Sequence, residues 1–202
     1  MTLEQVDGAA PGRHDALLGR ALAGDRAAFG ELVRLHQRSV HSLAWRMLGD
    51  RQEAEDLAQE VFLQLHRRLS RVRSGSHLAF WLRKVTLHRA IDRLRRAGMR
   101  AAAPLTEADG LASEAPDADP LLSSRLALLV GRLPPAPRAV ILLRYQEDLD
   151  PTQIARTLGM SIHTVKSHLK RSLALLREQL APAVRGAPLQ GTGPAAGNGS
   201  PA

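Results

Sequence analysis

Apolar residues recur three or four positions apart along most of the chain, and no stretch alternates strictly between apolar and polar residues. The first pattern is typical of helices that bury one face, whereas strict alternation would indicate strands. The helical pattern falls into two blocks, at residues 15–100 and 121–181. The sequence therefore predicts an all-α protein made of two small helical modules.

The segments outside these blocks differ in composition. Residues 101–120 contain five acidic residues, three prolines and no basic residue, which predicts a flexible acidic linker. Residues 1–14 and the tail at 182–202, which is rich in glycine, proline and alanine, are expected to be disordered because they offer little apolar surface to bury. With only the linker between them, the two modules are expected to have no fixed spacing.

The second module contains the signals of a helix-turn-helix. Asp150 is suited to cap a helix, and Gln153 completes a capping-box pattern with it. That helix should end at Gly159, where a left-handed cap favours a residue without a side chain. Ser161 then caps a second helix. A short helix, a glycine-containing turn and a second helix are the layout of a helix-turn-helix.

The second helix of this motif has one apolar and one basic face. Its apolar stripe consists of Ile162, Val165, Leu169, Leu173 and Leu176. Residues 160–177 include four basic residues and no acidic one, as a helix in the major groove requires, since a carboxylate there would repel the backbone. The residues predicted to contact DNA are His163, Thr164, Lys166, Ser167, Lys170 and Arg171. The alternative is an ordinary helical hairpin with a solvated basic face.

A helix is predicted at residues 51–69, opened by Asp50 as its cap and Glu53 as the partner in a capping box. Its core stripe is Ala54, Leu57, Ala58, Val61, Phe62, Leu65 and Leu69. A polar ridge on the opposite side is formed by Asp56, Gln59, Glu60 and Leu63. An exposed leucine among acidic residues of a basic protein favours a protein-docking surface, although single exposed leucines often have no role.

The next predicted helix, at about residues 77–96, carries a stripe of arginines. Its members are Arg89, Arg93, Arg96 and Arg100, with Arg83 beside them. Residues 67–100 include eleven basic residues and one acidic residue, Asp92. So many positive charges repel one another unless a polyanion lies against them. The alternative is a face that is merely solvated.

Composition supports a polyanionic partner, because the formal net charge is +8 and the isoelectric point is about 11.2. Only three of the 28 basic residues are lysines; a GC-rich genome would explain much of that preference, so the positions of the arginines matter more than their number. There is no cysteine, which excludes disulfides and a catalytic thiol. Neither a signal peptide nor an apolar run of about 18 residues is present, so no membrane insertion and a cytoplasmic location are expected.

An enzymatic site is not indicated. His88 and Asp92 stand four positions apart and could pair on one helix face. However, no nucleophile motif, phosphate-binding glycine loop or metal-spaced histidine cluster accompanies them. We therefore expect no catalytic residue, no cofactor and no metal.

Taken together, these motifs resemble the extracytoplasmic-function group of bacterial RNA polymerase sigma factors, over residues 17–177 apart from the linker. Residues 50–64 (DRQEAEDLAQEVFLQ) look like region 2.2 of that family. Residues 80–85 (FWLRKV) and 90–96 (AIDRLRR) resemble the segment that opens and reads the minus-10 element. The segment that begins at Leu133 and ends in TVKSHLKR at residues 164–171 is similar to region 4, which reads the minus-35 element.

The resemblance implies a sigma factor that directs promoter-specific initiation. The ridge would dock on the β′ clamp helices of core RNA polymerase, with the β flap as a further polymerase contact, and an anti-sigma factor is an additional partner that the family allows. The recognition helix would read the minus-35 element of promoter DNA. The minus-10 element would be contacted by Trp81, His88, Arg89, Arg93 and Arg96.

Several positions depart from the family pattern. His88 stands where the family often has asparagine, and His168 and Leu173 stand where it often has arginine, which alters the expected base preference and removes one phosphate contact. Trp81 is followed by Leu82 rather than by a second aromatic residue, which implies a weaker grip on melted DNA and stricter promoter choice. Trp81 could equally belong to the core.

The alternative function is a LuxR-like helix-turn-helix regulator that acts without sigma activity. Such a regulator would not need the ridge on residues 51–69. Its class usually carries a sensing or receiver domain, and the sequence contains no such domain. The sigma-factor interpretation is therefore preferred.

Overall fold

The structure, a computed structural model, describes residues 11–98 and 120–185. These residues form eight α-helices and one 3₁₀ turn, with no strand among them, so the all-α prediction is confirmed. The N-terminal module contains α1 (Pro11–Leu22), α2 (Arg26–Leu48), α3 (Arg51–Arg68), the 3₁₀ turn (Leu69–Arg71) and α4 (Gly75–Gly98). The C-terminal module contains α5 (Pro120–Gly131), α6 (Pro135–Tyr145), α7 (Pro151–Leu158) and α8 (Ile162–Arg185).

Short polar residues determine where helices of the N-terminal module begin. The Asp25 carboxylate accepts a hydrogen bond from the Ala28 amide at 3.0 Å, and the Asp50 carboxylate accepts one from the Glu53 amide at 2.8 Å. Each bond satisfies an amide that has no partner within its own helix. Gly49 ends α2 with a φ of 75°, a left-handed conformation that a residue without a side chain adopts easily.

Helix α2 lies at the centre of the N-terminal module and packs against α1, α3 and α4. The core of the predicted α3 stripe is confirmed, since Leu57, Val61 and Leu65 are at most 1% exposed. They belong to one cluster with equally buried side chains of α2 and α4, namely Leu32, Val40, Met47, Leu78, Leu82 and Leu87. Burying each such side chain contributes roughly 1.5–3 kcal/mol, so this cluster fixes the outward faces of α3 and α4.

The chain is already helical at residues 11–14, where the sequence predicts disorder. The side chain of His14 gives the reason: it is 3% exposed, and its ring centroid lies 5.3 Å from that of His36 on α2. Leu17 and Leu18, one turn further along α1, are buried in the core. The expectation for residues 1–10 lies outside the described residues.

His36 makes the N-terminal module sensitive to acid. Its side chain is fully buried, and neither ring nitrogen has a hydrogen-bond partner among the described residues. Burial lowers the pKa of His36 to about 4, and the charge of His14 acts in the same direction. Because a histidine of the unfolded chain has a pKa of about 6.5, the unfolded chain takes up the proton first. Stability is therefore lost as the pH falls from about 6.5 towards 4.

We expect His36→Leu to remove most of this acid sensitivity, because leucine fills a similar volume and carries no titrating group. Between pH 7 and pH 4.5 the wild-type protein should lose roughly 2–3 kcal/mol of unfolding free energy through this histidine. The check is urea unfolding of both proteins at the two pH values. An equal acid-induced loss in wild type and variant would show that other groups carry the sensitivity.

The C-terminal module contains the predicted helix-turn-helix, formed by α7 and α8. The Asp150 carboxylate accepts from the Gln153 amide at 2.9 Å, and the Gln153 side chain accepts from the Asp150 amide at 2.8 Å, so the capping box is confirmed. Helix α7 ends at Gly159, whose φ of 67° is the predicted left-handed cap. The Ser161 hydroxyl then accepts from the Thr164 amide at 3.1 Å and caps α8.

The C-terminal module is longer than predicted at both ends. Helix α5 begins at Pro120, the last residue of the predicted linker, and α8 continues to Arg185, four residues into the predicted tail. Pro182 does not end α8, although proline usually disrupts a helix because it has no amide hydrogen to donate. The remaining residues of the predicted linker and tail lie outside the described residues.

The two modules pack directly against each other, contrary to the expectation that nothing but the linker fixes their spacing. Helix α4 lies against α6 and α7, and α2 lies against α5 and α6. Val140 and Leu142 of α6 belong to the same buried cluster as the core of the N-terminal module. Arg83, predicted to lie beside the arginine stripe, is instead buried against Glu147 at 3.2 Å. Helical periodicity identifies a buried face but not the surface that covers it, so the sequence did not predict this contact.

Candidate nucleic-acid and protein interfaces

Helix α8 presents a basic face to solvent. The side chains predicted to contact DNA are all exposed, namely His163, Thr164, Lys166, Ser167, Lys170 and Arg171. The opposite side packs on α6 and α7, where Val165 is fully buried and Leu176 is 6% exposed. The other members of the predicted stripe, Ile162, Leu169 and Leu173, are half-buried. Helix α8 is thus anchored by its apolar side, and its basic side has the geometry of a recognition helix.

His168 lies beside this basic face and is half-buried. Burial and the charge of Arg171 lower the pKa of His168, so its ring is neutral at pH 7. A neutral imidazole has one donor and one acceptor, and therefore offers fewer donors to DNA than the arginine that the family often has at this position. Arg171 donates to the Ser167 carbonyl at 3.3 Å, which aligns its guanidinium along α8.

The ridge predicted on α3, formed by Asp56, Gln59, Glu60 and Leu63, lies at the surface and is called the α3 ridge below. Asp56 and Gln59 are exposed, and Leu63 is 53% exposed. A large apolar side chain surrounded by polar groups is a common centre of a protein interface. Glu60 is less exposed than its neighbours on the ridge, because its carboxylate binds two arginines of α4.

Glu60 joins the α3 ridge to the arginine stripe of α4. Its carboxylate accepts from Arg89 at 2.7 Å and from Arg93 at 2.8 Å. Gln64 accepts two further bonds from Arg89, at 2.7 and 3.0 Å, and Glu53 accepts one from Arg93 at 2.7 Å. A single exposed ion pair contributes little, but one carboxylate shared by two arginines fixes both guanidinium groups side by side. The sequence did not predict this link, because the partners are 29 and 33 positions apart.

A cleft of about 720 Å³ lies along α4 beside this network. Its lining includes every residue predicted to contact the minus-10 element, namely Trp81, His88, Arg89, Arg93 and Arg96. Arg68 and Lys84 add positive charge to the same walls, which also contain Asp92. Trp81 is half-buried and packs against the core while also lining the cleft. The structure therefore brings the predicted minus-10 residues together, except that Arg100 of the arginine stripe lies outside the described residues.

The described residues contain neither a candidate metal site nor a membrane-spanning helix. Nowhere in residues 11–98 and 120–185 do three or more histidine, aspartate or glutamate side chains group so that they could hold a metal ion. No helix in these two ranges is both long and apolar enough to cross a membrane. Two helical modules, a basic recognition helix and a basic cleft beside an acidic ridge define a helix-turn-helix protein suited to DNA and to a protein partner.

Comparison with known families shows which family of helix-turn-helix proteins the chain matches. The family Sigma-70 region 2 matches residues 32–100, and the family Sigma-70, region 4 matches residues 123–176. The chain is 32% identical over 173 residues to the ECF RNA polymerase sigma factor SigM of Mycobacterium tuberculosis, covering 84% of this chain and 87% of SigM. It is 29% identical over 170 residues to SigW of Bacillus subtilis, covering 78% of this chain and 91% of SigW.

The chain therefore belongs to the extracytoplasmic-function group of the bacterial RNA polymerase sigma-70 family, as the resemblance of its motifs predicted. Solved structures share its fold. CnrH, in complex with the cytosolic domain of CnrY, aligns with a TM-score of 0.60 at 23% identity and covers 84% of this chain and 98% of CnrH. The sigma factor RpoE of Bartonella quintana, crystallised with the anti-sigma factor NepR, aligns with a TM-score of 0.59 at 19% identity and covers 76% of this chain and 96% of RpoE.

Proposed function

We propose that this sigma factor docks on core RNA polymerase through the α3 ridge, reads the minus-10 element in the α4 cleft and reads the minus-35 element with α8. The observation that supports this most directly is the cleft, because one cavity gathers every residue predicted to contact the minus-10 element. The chemistry of RNA synthesis belongs to the polymerase. The sigma factor acts with it in the cytoplasm and contributes no catalytic group, cofactor or metal.

The α4 cleft suits a single DNA strand. Basic side chains line it and can follow a phosphate backbone, and Trp81 offers an aromatic surface on which a base can stack. Arg89 makes three hydrogen bonds within the N-terminal module. Since a guanidinium has five N–H donors, Arg89 keeps donors for phosphate oxygens while its position is held by Glu60 and Gln64.

Helix α8 suits the major groove of duplex DNA. Lys166, Lys170 and Arg171 are exposed on one side of it, and no acidic residue lies between them. Arginine and lysine donate to the major-groove edge of guanine or to phosphates. The N-terminal turn of α8, with His163 and Thr164 exposed, is the part of a recognition helix that contacts base edges.

The α3 ridge suits the polymerase rather than DNA, because its carboxylates would repel phosphates. We assign it to the β′ clamp helices and assign the C-terminal module to the β flap. An anti-sigma protein is a further proposed partner; RpoE of B. quintana, which shares the fold, is bound by NepR. The LuxR-like alternative is not favoured, because the Sigma-70 region 2 match covers residues 32–100, which such a regulator would not need.

The test of this function is co-retention of promoter DNA. Full-length protein, core polymerase, or both are mixed with a labelled promoter fragment, and retained DNA is measured on a column that holds the polymerase. We expect the DNA to stay on the column during a wash with heparin, a polyanion that removes weakly bound DNA, only when the full-length protein and core polymerase are both present. Equal retention by core polymerase alone would contradict a sigma role.

Glu60→Gln tests the link between α3 and α4. The amide keeps one acceptor but loses the charge that holds Arg89 and Arg93 together. We expect holoenzyme affinity for a minus-10 single strand to fall by about five- to tenfold, or ~1 kcal/mol. The control is Glu55→Gln, which removes only the exposed pair with Arg51 on the same helix. Equal effects of the two substitutions would contradict the positioning role of Glu60.

A further inference from the structure

The first turn of α4 is held by a residue of α1 that lies 60 positions earlier in the chain. The Asp15 carboxylate accepts a hydrogen bond from the Gly75 amide at 2.7 Å. Gly75 is the first residue of α4 and is buried, whereas Asp15 lies at the surface of α1. Asp15 belongs to none of the three proposed interfaces, so its contact with α4 has no role in binding as described so far.

We propose that Asp15 is a positioning residue for the α4 cleft. It keeps the first turn of α4 wound and thereby fixes Trp81, which lines the end of the cleft nearest the start of that helix. The inference rests on the proposed function, because that function assigns the cleft to the minus-10 element. Asp15 is not part of the cleft lining, so it acts through α4 and not by touching DNA.

The cap that precedes α4 leaves the Gly75 amide in need of another acceptor. The first amides of an α-helix have no partner within the helix. The Ser74 hydroxyl accepts from the His77 amide at 3.1 Å, and the Ser74 carbonyl accepts from the Leu78 amide at 2.9 Å. Neither bond involves Gly75. Asp15 supplies that acceptor, and its negative charge is favourable at the positive end of the helix dipole.

Helix α1 is a firm support for this contact, because it is anchored along its length. Leu17 and Leu18 are buried in the core. Near the end of α1, Arg20 donates two hydrogen bonds to the Asp25 carboxylate, at 2.6 and 2.9 Å, and Asp25 is the cap of α2. Helix α1 packs on both α2 and α4. The carboxylate of Asp15 is therefore carried by a helix that already has a fixed place beside α4.

The first turn of α4 is close enough to Trp81 to influence it. Trp81 follows Gly75 by six residues, about 9 Å along a helix axis, and is the first residue of α4 that lines the cleft. Leu78 and Leu82 are fully buried and fix which face of α4 turns towards the core. They do not bind the amides of the first turn, so they do not prevent that turn from fraying. The bond from Asp15 does.

The test measures the mobility of Trp81 and the function of the cleft separately. The chain has two tryptophans, so Trp45→Phe leaves Trp81 as the only tryptophan of the full-length protein. Quenching of its fluorescence by acrylamide reports how firmly it is held. The affinity of the holoenzyme for a minus-10 single strand reports the cleft. Both are measured for Asp15→Ala and for Asp15→Asn, whose amide oxygen keeps an acceptor.

We expect Asp15→Ala to increase the quenching of Trp81 and to lower minus-10 affinity by about threefold to fivefold, the size expected from the loss of one helix-cap bond. Asp15→Asn should keep both values near those of wild type. Co-elution with core polymerase and affinity for a minus-35 duplex should not change in either variant, because the α3 ridge and α8 do not contain Asp15. A protein that was merely destabilised would lose all three binding activities together.

Two substitutions serve as controls. Glu55→Ala removes an exposed carboxylate that pairs with Arg51, and it should change neither the quenching nor the minus-10 affinity. Ser74→Ala removes the hydroxyl that caps the same turn of α4, and it should act in the same direction as Asp15→Ala. If Asp15→Ala fails to fold, Asp15→Glu keeps the charge but moves the carboxylate by one methylene, and it should give a smaller change in the same direction.

Unchanged quenching and affinity in Asp15→Ala would overturn the positioning role, and with Ser74→Ala impaired they would show that Ser74 alone holds the turn. Increased quenching of Trp81 without a loss of minus-10 affinity would also overturn it, because the first turn would then have no effect on the cleft. Failure of the proposed function is distinguishable from these results. In that case the wild-type holoenzyme would not bind the minus-10 strand, while the quenching of Trp81 would still report whether Asp15 holds α4.

Discussion

Leu63→Asp, and separately Asp56→Arg, should prevent the full-length protein from co-eluting with core RNA polymerase on a sizing column. Leu63 is the apolar side chain of the α3 ridge and is 53% exposed. Truncating such an anchor typically costs ~2 kcal/mol or more, which lowers affinity about thirtyfold. Because both side chains are exposed and lie outside the core, helix content and thermal stability should be nearly unchanged.

The structure sharpens the choice of variants for this experiment. The charge of Glu60 is not reversed, because that substitution would also release Arg89 and Arg93 and so disturb the proposed DNA-binding cleft. The matched control is Glu178→Arg, which makes the same change of charge at an exposed position of α8. If the Leu63 and Asp56 variants still co-elute and support transcription, the α3 ridge is only a solvated face.

Lys166→Ala and Arg171→Ala should weaken holoenzyme binding to promoters through the minus-35 element. A residue that makes a bidentate base contact should contribute ~1–3 kcal/mol to discrimination against the wrong base. Its substitution should therefore lower affinity only for the matched sequence. A phosphate contact should instead weaken all sequences equally and reduce the salt slope by about one. The measurement is affinity for matched and scrambled minus-35 elements as a function of salt concentration.

Arg132→Ala is the control for the recognition helix. This arginine is exposed in the same module, after α5, and lies outside α8. It should leave the affinity and salt slope close to those of the wild-type holoenzyme. If neither α8 variant lost affinity for any sequence, α8 would not be the recognition helix.

Local signals allowed the helix-turn-helix and the ridge to be predicted from the sequence. Asp150 and Gln153 form the capping box that their spacing indicated, and Gly159 adopts the left-handed conformation that ends α7. The exposure of Asp56 and Leu63 likewise follows from helical periodicity on α3. Each of these features depends on residues within a few positions of one another, so a single sequence contains what determines them.

Contacts between distant segments could not be predicted in the same way. Arg83 on α4 and Glu147 after α6 are 64 positions apart, and nothing in the sequence around either residue indicates that the other will bury it. The start of α1 was also missed, because no capping pattern precedes Pro11 and the helix there is held by tertiary packing, with His14 buried beside His36 and Leu17 and Leu18 in the core. Periodicity separates faces that are buried from faces that are exposed, whereas pairing depends on the tertiary arrangement.

The most direct test of the sigma assignment is transcription by core polymerase on fragmented genomic DNA, with and without the full-length protein, followed by sequencing of transcript 5′ ends. We expect new start sites that appear only with the protein and share two upstream sequence elements. Arg171→Ala should remove these start sites selectively. If no protein-dependent start site appeared, or if the start sites shared no upstream element, the sigma-factor account would be contradicted.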